Sequence, residues 1–410
     1  MRESEDFAET VMMGALPPAA PHRPQTLDIR FTGSGSEYFR IWIVNLLLTL
    51  VTLTLYLPFA RARRMAYFQN NTLVGGDPLG FHADPWKMFR GYLLVLVLGL
   101  GYWAVSNFMP AFSWAALVVF MGLWPLLWRS SLQFRLRNTS WRGVRLNFVG
   151  DIKAAYLAML PMFLPALAFV GLLPEPVEGE AIAEETARYA AAVVGVVVLA
   201  FVLLLPWLWA RIKRYQHGGY AFAQERTELT VGAGRFYGLF FKILGVSLAV
   251  MLVVGSVMGA AFGVLMLMGM TNWAELSGGG GALAGLLAAV VFGVIVLMAY
   301  VLMPLIVGSY TTSRLQNLLW THTRSPKIQF QSDLRLGPLF RVGLVNWLLI
   351  ALTLGLYWPF AKVRLARVKL EAMSLVVHGD VDEWVAEAQP AGRGVLGDAA
   401  GDFFGIDMGL

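Results

Sequence analysis

Chemistry needs ionisable or nucleophilic side chains at fixed spacing, and this chain of 410 residues offers few. It has no cysteine, which removes thiolate nucleophiles, iron–sulfur ligation and thiolate zinc sites together. The five histidines, His22, His82, His217, His322 and His378, stand one per segment without HxxxH or HExxH spacing. Each reads as a solvated or interfacial residue and not as a metal ligand. Gly232, Gly234 and Gly238 in GAGRFYG precede an apolar run, but their order fits neither a Walker A loop nor a dinucleotide fingerprint. A turn into a helix explains them. The expectation is no catalytic residue, no metal and no cofactor, and a protein that is not an enzyme.

The residues that do recur at fixed spacing are structural. Residues 39–60 and 340–361 share thirteen identities in twenty-two, among them Asn45/Asn346, Thr52/Thr353, Tyr56/Tyr357 and Pro58/Pro359. Hydrophobicity alone does not set an Asn, a Thr and a Pro at matching offsets, so 39–64 and 340–364 are copies of one segment. Pro58, Pro125, Pro206, Pro304 and Pro359 each stand near the end of an apolar run, with basic residues following. Asn71, Asn138 and Asn317 come thirteen positions after three of them. The stretches NTLVGGDPLGFHAD (71–84) and NTSWRGVRLNFVGD (138–151) also match, and alternation about a Gly turn predicts a short β-hairpin in each. Gly255, Gly259 and Gly263 recur every fourth residue, which puts them on one helix face and predicts close helix packing there.

The elements that carry these positions belong in a bilayer. With 57% hydrophobic residues, 14% charged and a mean hydropathy of +0.61, the chain is an integral membrane protein. Runs at 91–109, 111–128, 154–173, 189–210, 238–270 and 282–309 are long enough to cross a core of roughly 30 Å. They pair through turns at 107–112, 173–188 and 271–281, which hold Glu175, Glu178, Glu180, Glu184, Glu185 and Glu275 but only one basic residue, Arg188. Lys and Arg concentrate in the other connections, which are therefore cytoplasmic.

The end copies have basic residues on both flanks, Arg40 against Arg61, Arg63 and Arg64, and Arg341 against Lys362, Arg364, Arg367 and Lys369. Both are read as dipping in and returning, reversing at 52–54 and 353–355, with Asn45 and Asn346 satisfying backbone groups freed there. Eight full spans is the alternative. The fold class expected is an α-helical polytopic membrane protein. Six crossing helices form three hairpins, two repeated segments re-enter or span, and short cytoplasmic β-hairpins form a platform. Residues 1–26 read as a disordered tail, 27–379 as the membrane domain and 380–410 as an acidic and apolar tail.

The pattern VN-LL-TLGLY-PFAK (Val345, Asn346, Leu348, Leu349, Thr353 to Tyr357, Pro359 to Lys362), with the NT-G-L-F hairpins, resembles the YjgN family of bacterial inner-membrane proteins. The resemblance runs from about Leu27 to the C-terminus and implies a multi-pass inner-membrane location with no catalytic residues to carry over. Thr54 departs from the pattern where the second copy has Gly355. Trp124, Trp128, Trp207, Trp209 and Trp358 sit beside basic residues at helix ends and read as an interfacial aromatic belt. The six crossing runs contain no Asp, Glu, Arg or His and only Lys242, which disfavours a proton-coupled pump. The expected function is permeation or lipid handling without buried charge; the alternative is a non-catalytic scaffold that holds a partner on the β platform. The expected partners are the bilayer and its anionic headgroups, and not nucleic acid.

Overall fold

The computed structural model describes residues 24–174, 183–267 and 282–383. Of the expected tails, 1–26 and 380–410, residues 1–23 and 384–410 lie outside the described residues, as do 175–182 of the acidic turn and the stretch 268–281; Gln25 and Thr26 already belong to a strand, and Val381 is buried in the core. The strand expected near residue 27 is β1 (Gln25–Phe31), with Leu27, Ile29 and Phe31 buried while Asp28 and Arg30 face out. It feeds α1 (Gly35–Val51); α2 (Leu57–Asn70) returns to β2 (Thr72–Val74), which pairs antiparallel with β1.

The same order of strand, helix, helix, strand recurs four more times. The second unit is β3 (Asp77–Phe81), α3 (Pro85–Phe108), α4 (Ser113–Arg137) and β4 (Thr139–Trp141). The third is β5 (Val144–Phe148), a first arm broken into α5 (Ile152–Met159) and α6 (Leu164–Leu172), then α7 (Glu184–His217) and β6 (Tyr220–Phe222). After β7 (Glu225–Arg226) comes the fourth: β8 (Glu228–Leu229), α8 (Ala233–Leu267), α9 (Ala282–Trp320) and β9 (Thr323–Arg324). The fifth is β10 (Ile328–Ser332), α10 (Leu336–Leu352), α11 (Trp358–Leu370) and β11 (Met373–Val377). In every unit the entering and leaving strands pair antiparallel, so both arms of each helical hairpin rise from one sheet.

Neighbouring units join through β2–β3, β4–β5, β6–β7 and β9–β10, and β11 pairs back onto β1. The resulting sheet runs β7-β6-β5-β4-β3-β2-β1-β11-β10-β9-β8. Its two outer strands are consecutive in sequence, separated only by Thr227, so the sheet curls into a near-barrel whose seam is one residue wide. Thr227 ties that seam down: its N–H donates to the Tyr220 carbonyl at 2.9 Å and its hydroxyl to the His217 carbonyl. The expected hairpins at 71–84 and 138–151 are β2–β3 and β4–β5. Their loops, Gly75–Gly76 and Arg142–Gly143, have positive φ at both residues, the type I′ geometry that suits twisted strands.

The near-barrel is filled. Leu27, Ile29, Val74, Trp141, Phe222, Ile328 and Leu375, from strands all around it, form one buried cluster. The Trp141 indole packs on Phe222 at 5.5 Å and donates Nε1–H to the Val74 carbonyl at 3.2 Å.

Above it the helices form a ring, each touching the next along the chain and α11 closing on α1. Among the described residues five helical stretches are long and apolar enough to cross a membrane: 85–108, 110–137, 152–172, 184–217 and 233–264. At most 22% of the most apolar window of any of them is buried, and none of it in 233–264. A helix in a solid bundle would hide far more; these touch two neighbours and leave two faces bare.

The end copies reverse at matching places. Leu53 and Thr54 have φ of 47° and 75°, and Leu354 and Gly355 have 48° and 94°. Thr52 Oγ1 donates to the Leu48 carbonyl and accepts from the Tyr56 N–H; Thr353 does the same with Leu349 and Tyr357. Asn45 and Asn346 are not at the reversal, contrary to expectation. Their amides reach across from the first arm to the second, Nδ2 donating to the carbonyls of Ala60 at 3.4 Å and Ala361 at 3.3 Å. A β-branched residue in the left-handed region is strained, so Thr54→Gly, which copies the second reversal, is expected to stabilise the protein by about 1 kcal/mol. Thermal denaturation in detergent measures it, with Gly355→Thr moving the other way.

Candidate functional site

Four of the five recurring prolines, Pro58, Pro125, Pro206 and Pro359, are buried and stand eleven or twelve residues before the end of their helix. Pro304 is exposed and stands sixteen before the end of α9, about one turn out of register; buried Ser309 lies nearest the matching place. Asn317 is out of register with it. Asn71 and Asn138 cap α2 and α4, their Nδ2 groups donating to the carbonyls of Tyr67 and Phe134, whereas Asn317 lies inside α9 and holds the Leu334 backbone. The junction shared by three units is instead the next residue of the first two: Thr72, Thr139 and Thr323 each donate Oγ1–H to the carbonyl four residues back.

A Cβ built on Gly255, Gly259 or Gly263 meets no described atom within 4 Å, so the packing expected along that stripe is not made among the described residues. Trp128 is no interfacial anchor but a core residue, 3% exposed and packed with Leu132, Phe148 and Met159. His217 bonds to Thr323 Oγ1 and His82 to Ser140 Oγ, both as structural links between units. Among the described residues no group of three or more His, Asp or Glu is placed to hold a metal.

The side chains that do converge are cations and aromatics. Where the last helical hairpin closes on the first, α1, α2, α3 and α11 bound a cavity of about 970 Å³. Arg61, Arg64 and Lys362 line it, with Trp42, Tyr92 and Trp358, and no described carboxylate is in its wall. Arg61 and Lys362 are the same position of the two end copies, each three residues after its proline, so the duplication itself supplies opposing cations. The Lys362 ammonium lies over the Trp358 ring at 4.9 Å. Partial burial, and then the neighbouring Arg64 guanidinium, hold it below the ordinary lysine range. Asn45 also lines the cavity; it is 8% exposed and its Oδ1 has no hydrogen-bond partner among the described residues. Asn346 Oδ1 is left unpartnered in the same way in the second copy. Sequence reasoning missed this cavity, although the basic residues one turn after each buried proline were its signal.

Residues 26–403 match a family described as bacterial protein of unknown function, DUF898. The chain belongs to that family. It is also similar to the inner membrane protein YjgN of Salmonella typhimurium, at 25% identity over 366 residues, covering 86% of this chain and 88% of that one. The YjgN proteins of two Escherichia coli strains are 30% identical over 146 residues, 35% of each chain. No solved structure matches. With the apolar helices described above, membership of this family makes the chain a multi-pass protein of the bacterial inner membrane. The expected resemblance is thereby established.

Proposed function

We propose that the protein handles lipid and does not conduct water or ions. The observation that supports this reading most directly is the filled near-barrel beneath the ring of helices: an apolar plug of Trp141, Phe222 and their neighbours blocks the axis that an aqueous pathway would follow. The ring above has bare apolar faces, and its surroundings there are acyl chains.

In this reading six helices cross in three hairpins and the two end copies re-enter. In α1 the apolar part, from Ile41 to Val51, extends only about 16 Å at a rise of about 1.5 Å per residue, roughly half of a 30 Å core. The exposed leucines at the reversals, Leu53 and Leu354, then rest in hydrocarbon while the basic residues of both arms stay at the cytoplasmic surface.

Reconstitution into liposomes separates the possibilities. The expected result is no flux of protons, potassium or glycerol above that of empty vesicles, together with phospholipid that remains bound through purification. Solute flux that follows protein content would replace this reading with permeation. Purification free of lipid but with a stoichiometric protein would replace it with the scaffold.

A further inference from the structure

We propose that the cavity between the first and last helical hairpins is a headgroup site for an anionic phospholipid, its phosphate held between Arg64 and Lys362. The proposal rests on the lipid-handling reading and names the ligand that reading leaves open.

Two features of the cavity define the ligand. Arg64 and Lys362 stand close enough for one to disfavour the charge of the other, and no described carboxylate in the wall relieves them. An anion between them turns that repulsion into two charge-assisted hydrogen bonds. Asn45 stands in the same wall with its Oδ1 buried and unpartnered, as Asn346 Oδ1 is in the second copy, so it shapes the wall without defining the ligand. Apart from Arg61, Asn45 and Thr49 the rest of the wall is apolar and aromatic, with Leu46, Leu57 and Val95, and Leu53 and Leu55 are exposed at the reversal of the same hairpin. A soluble phosphate has no use for such a wall; the first carbons of an acyl chain do.

The volume is enough for a headgroup and the start of its chains, near the upper end of ordinary ligand cavities of about 300–1,000 Å³. Phosphatidylglycerol meets both requirements, with one phosphate charge and two acyl chains.

The back of the same hairpin supplies the control. Arg40 and Arg63 are also basic, but they line a separate, shallow groove on the other face of α1 and α2, and Arg63 stacks on Tyr56.

The test is native mass spectrometry of the full chain released from nanodiscs of equal parts phosphatidylglycerol and phosphatidylcholine. The variants are Arg64→Gln/Lys362→Gln and Arg40→Gln/Arg63→Gln, each checked for unchanged melting temperature. The expected result is phosphatidylglycerol retained in preference to phosphatidylcholine, with affinity at least about tenfold lower in Arg64→Gln/Lys362→Gln and unchanged in Arg40→Gln/Arg63→Gln. If the cavity pair lowers the melting temperature, Lys362→Arg, which keeps the charge, must retain the lipid for the proposal to stand. Equal loss in both double variants would reduce the effect to diffuse surface charge and overturn the site. Retention of both lipids alike would overturn the headgroup assignment while leaving lipid handling intact, and retention of neither would defeat lipid handling itself. Displacement of the lipid by millimolar inorganic phosphate would assign the cavity to a soluble anion instead.

Discussion

Trp141→Ala is expected to cost the near-barrel about 5 kcal/mol, while Trp103→Ala leaves stability unchanged to within about 0.5 kcal/mol. Trp141 is 6% exposed inside the plug; removing it opens a cavity beside Phe222, and truncations of this kind cost about 3–5 kcal/mol. The Val74 carbonyl also loses its indole donor, worth about 1 kcal/mol more. Trp103 is 57% exposed on an apolar helix and packs against little that its loss would disturb. Hydrogen exchange locates the damage. Because every helical hairpin rises from paired strands, loosening β4 is expected to raise exchange in β2, β3 and β5 before the helices respond. Equal destabilisation by both variants would mean that the plug does not hold the fold together.

The parts of this fold that were legible in the sequence are those with a local cause. Type I′ turns demand positive φ at two adjacent residues and the flanking strands alternate, so the hairpins at 71–84 and 138–151 stand out. The membrane runs declare themselves by length and apolarity. The closure does not: β1 meets β11 with Leu27 opposite Leu375, a pairing with no local signature across almost the whole chain. Strands as short as Glu225–Arg226, Glu228–Leu229 and Thr323–Arg324 carry too little alternation to be seen, so the strand pairs at the base of the fourth unit were not foreseen, although Pro206, Pro304 and Pro359 already marked the later units as repeats.

Counting spacings also misled. Asn317 follows Pro304 by the right interval, but α9 runs about a turn longer beyond its proline, and the true counterpart of Thr72 and Thr139 is Thr323. The cavity was hidden for a different reason. In the sequence Arg64 and Lys362 have the pattern of topological charge, which is what Lys and Arg near a membrane usually are. Only ring closure brings them together.

The largest effect expected of all is an all-or-none one, the sidedness of the end hairpins. The chain has no cysteine, so single substitutions report their side of the membrane directly to an impermeant maleimide. Ser36 and Asn70 flank the first copy, Gly337 and Arg364 the second, and all four are exposed, whereas Ala62 is only 4% exposed and would label poorly from either side. Each pair is anchored by strands in register, Phe31 opposite Thr72 and Ser332 opposite Met373, so the flanks of one hairpin cannot lie on opposite faces while those strands remain paired. A full crossing would also carry Arg40 or the Arg61 to Arg64 group to the outer face, against the bias that keeps basic residues inside. All four cysteines are therefore expected to label from the cytoplasmic side alone, and Leu53→Cys and Leu354→Cys, at the reversals, to stay dark from both sides until the membrane is dissolved. Outside labelling of Ser36 or Gly337, with Asn70 and Arg364 labelling from inside, would mean that the end copies span and that the strands at their bases are apart in the membrane.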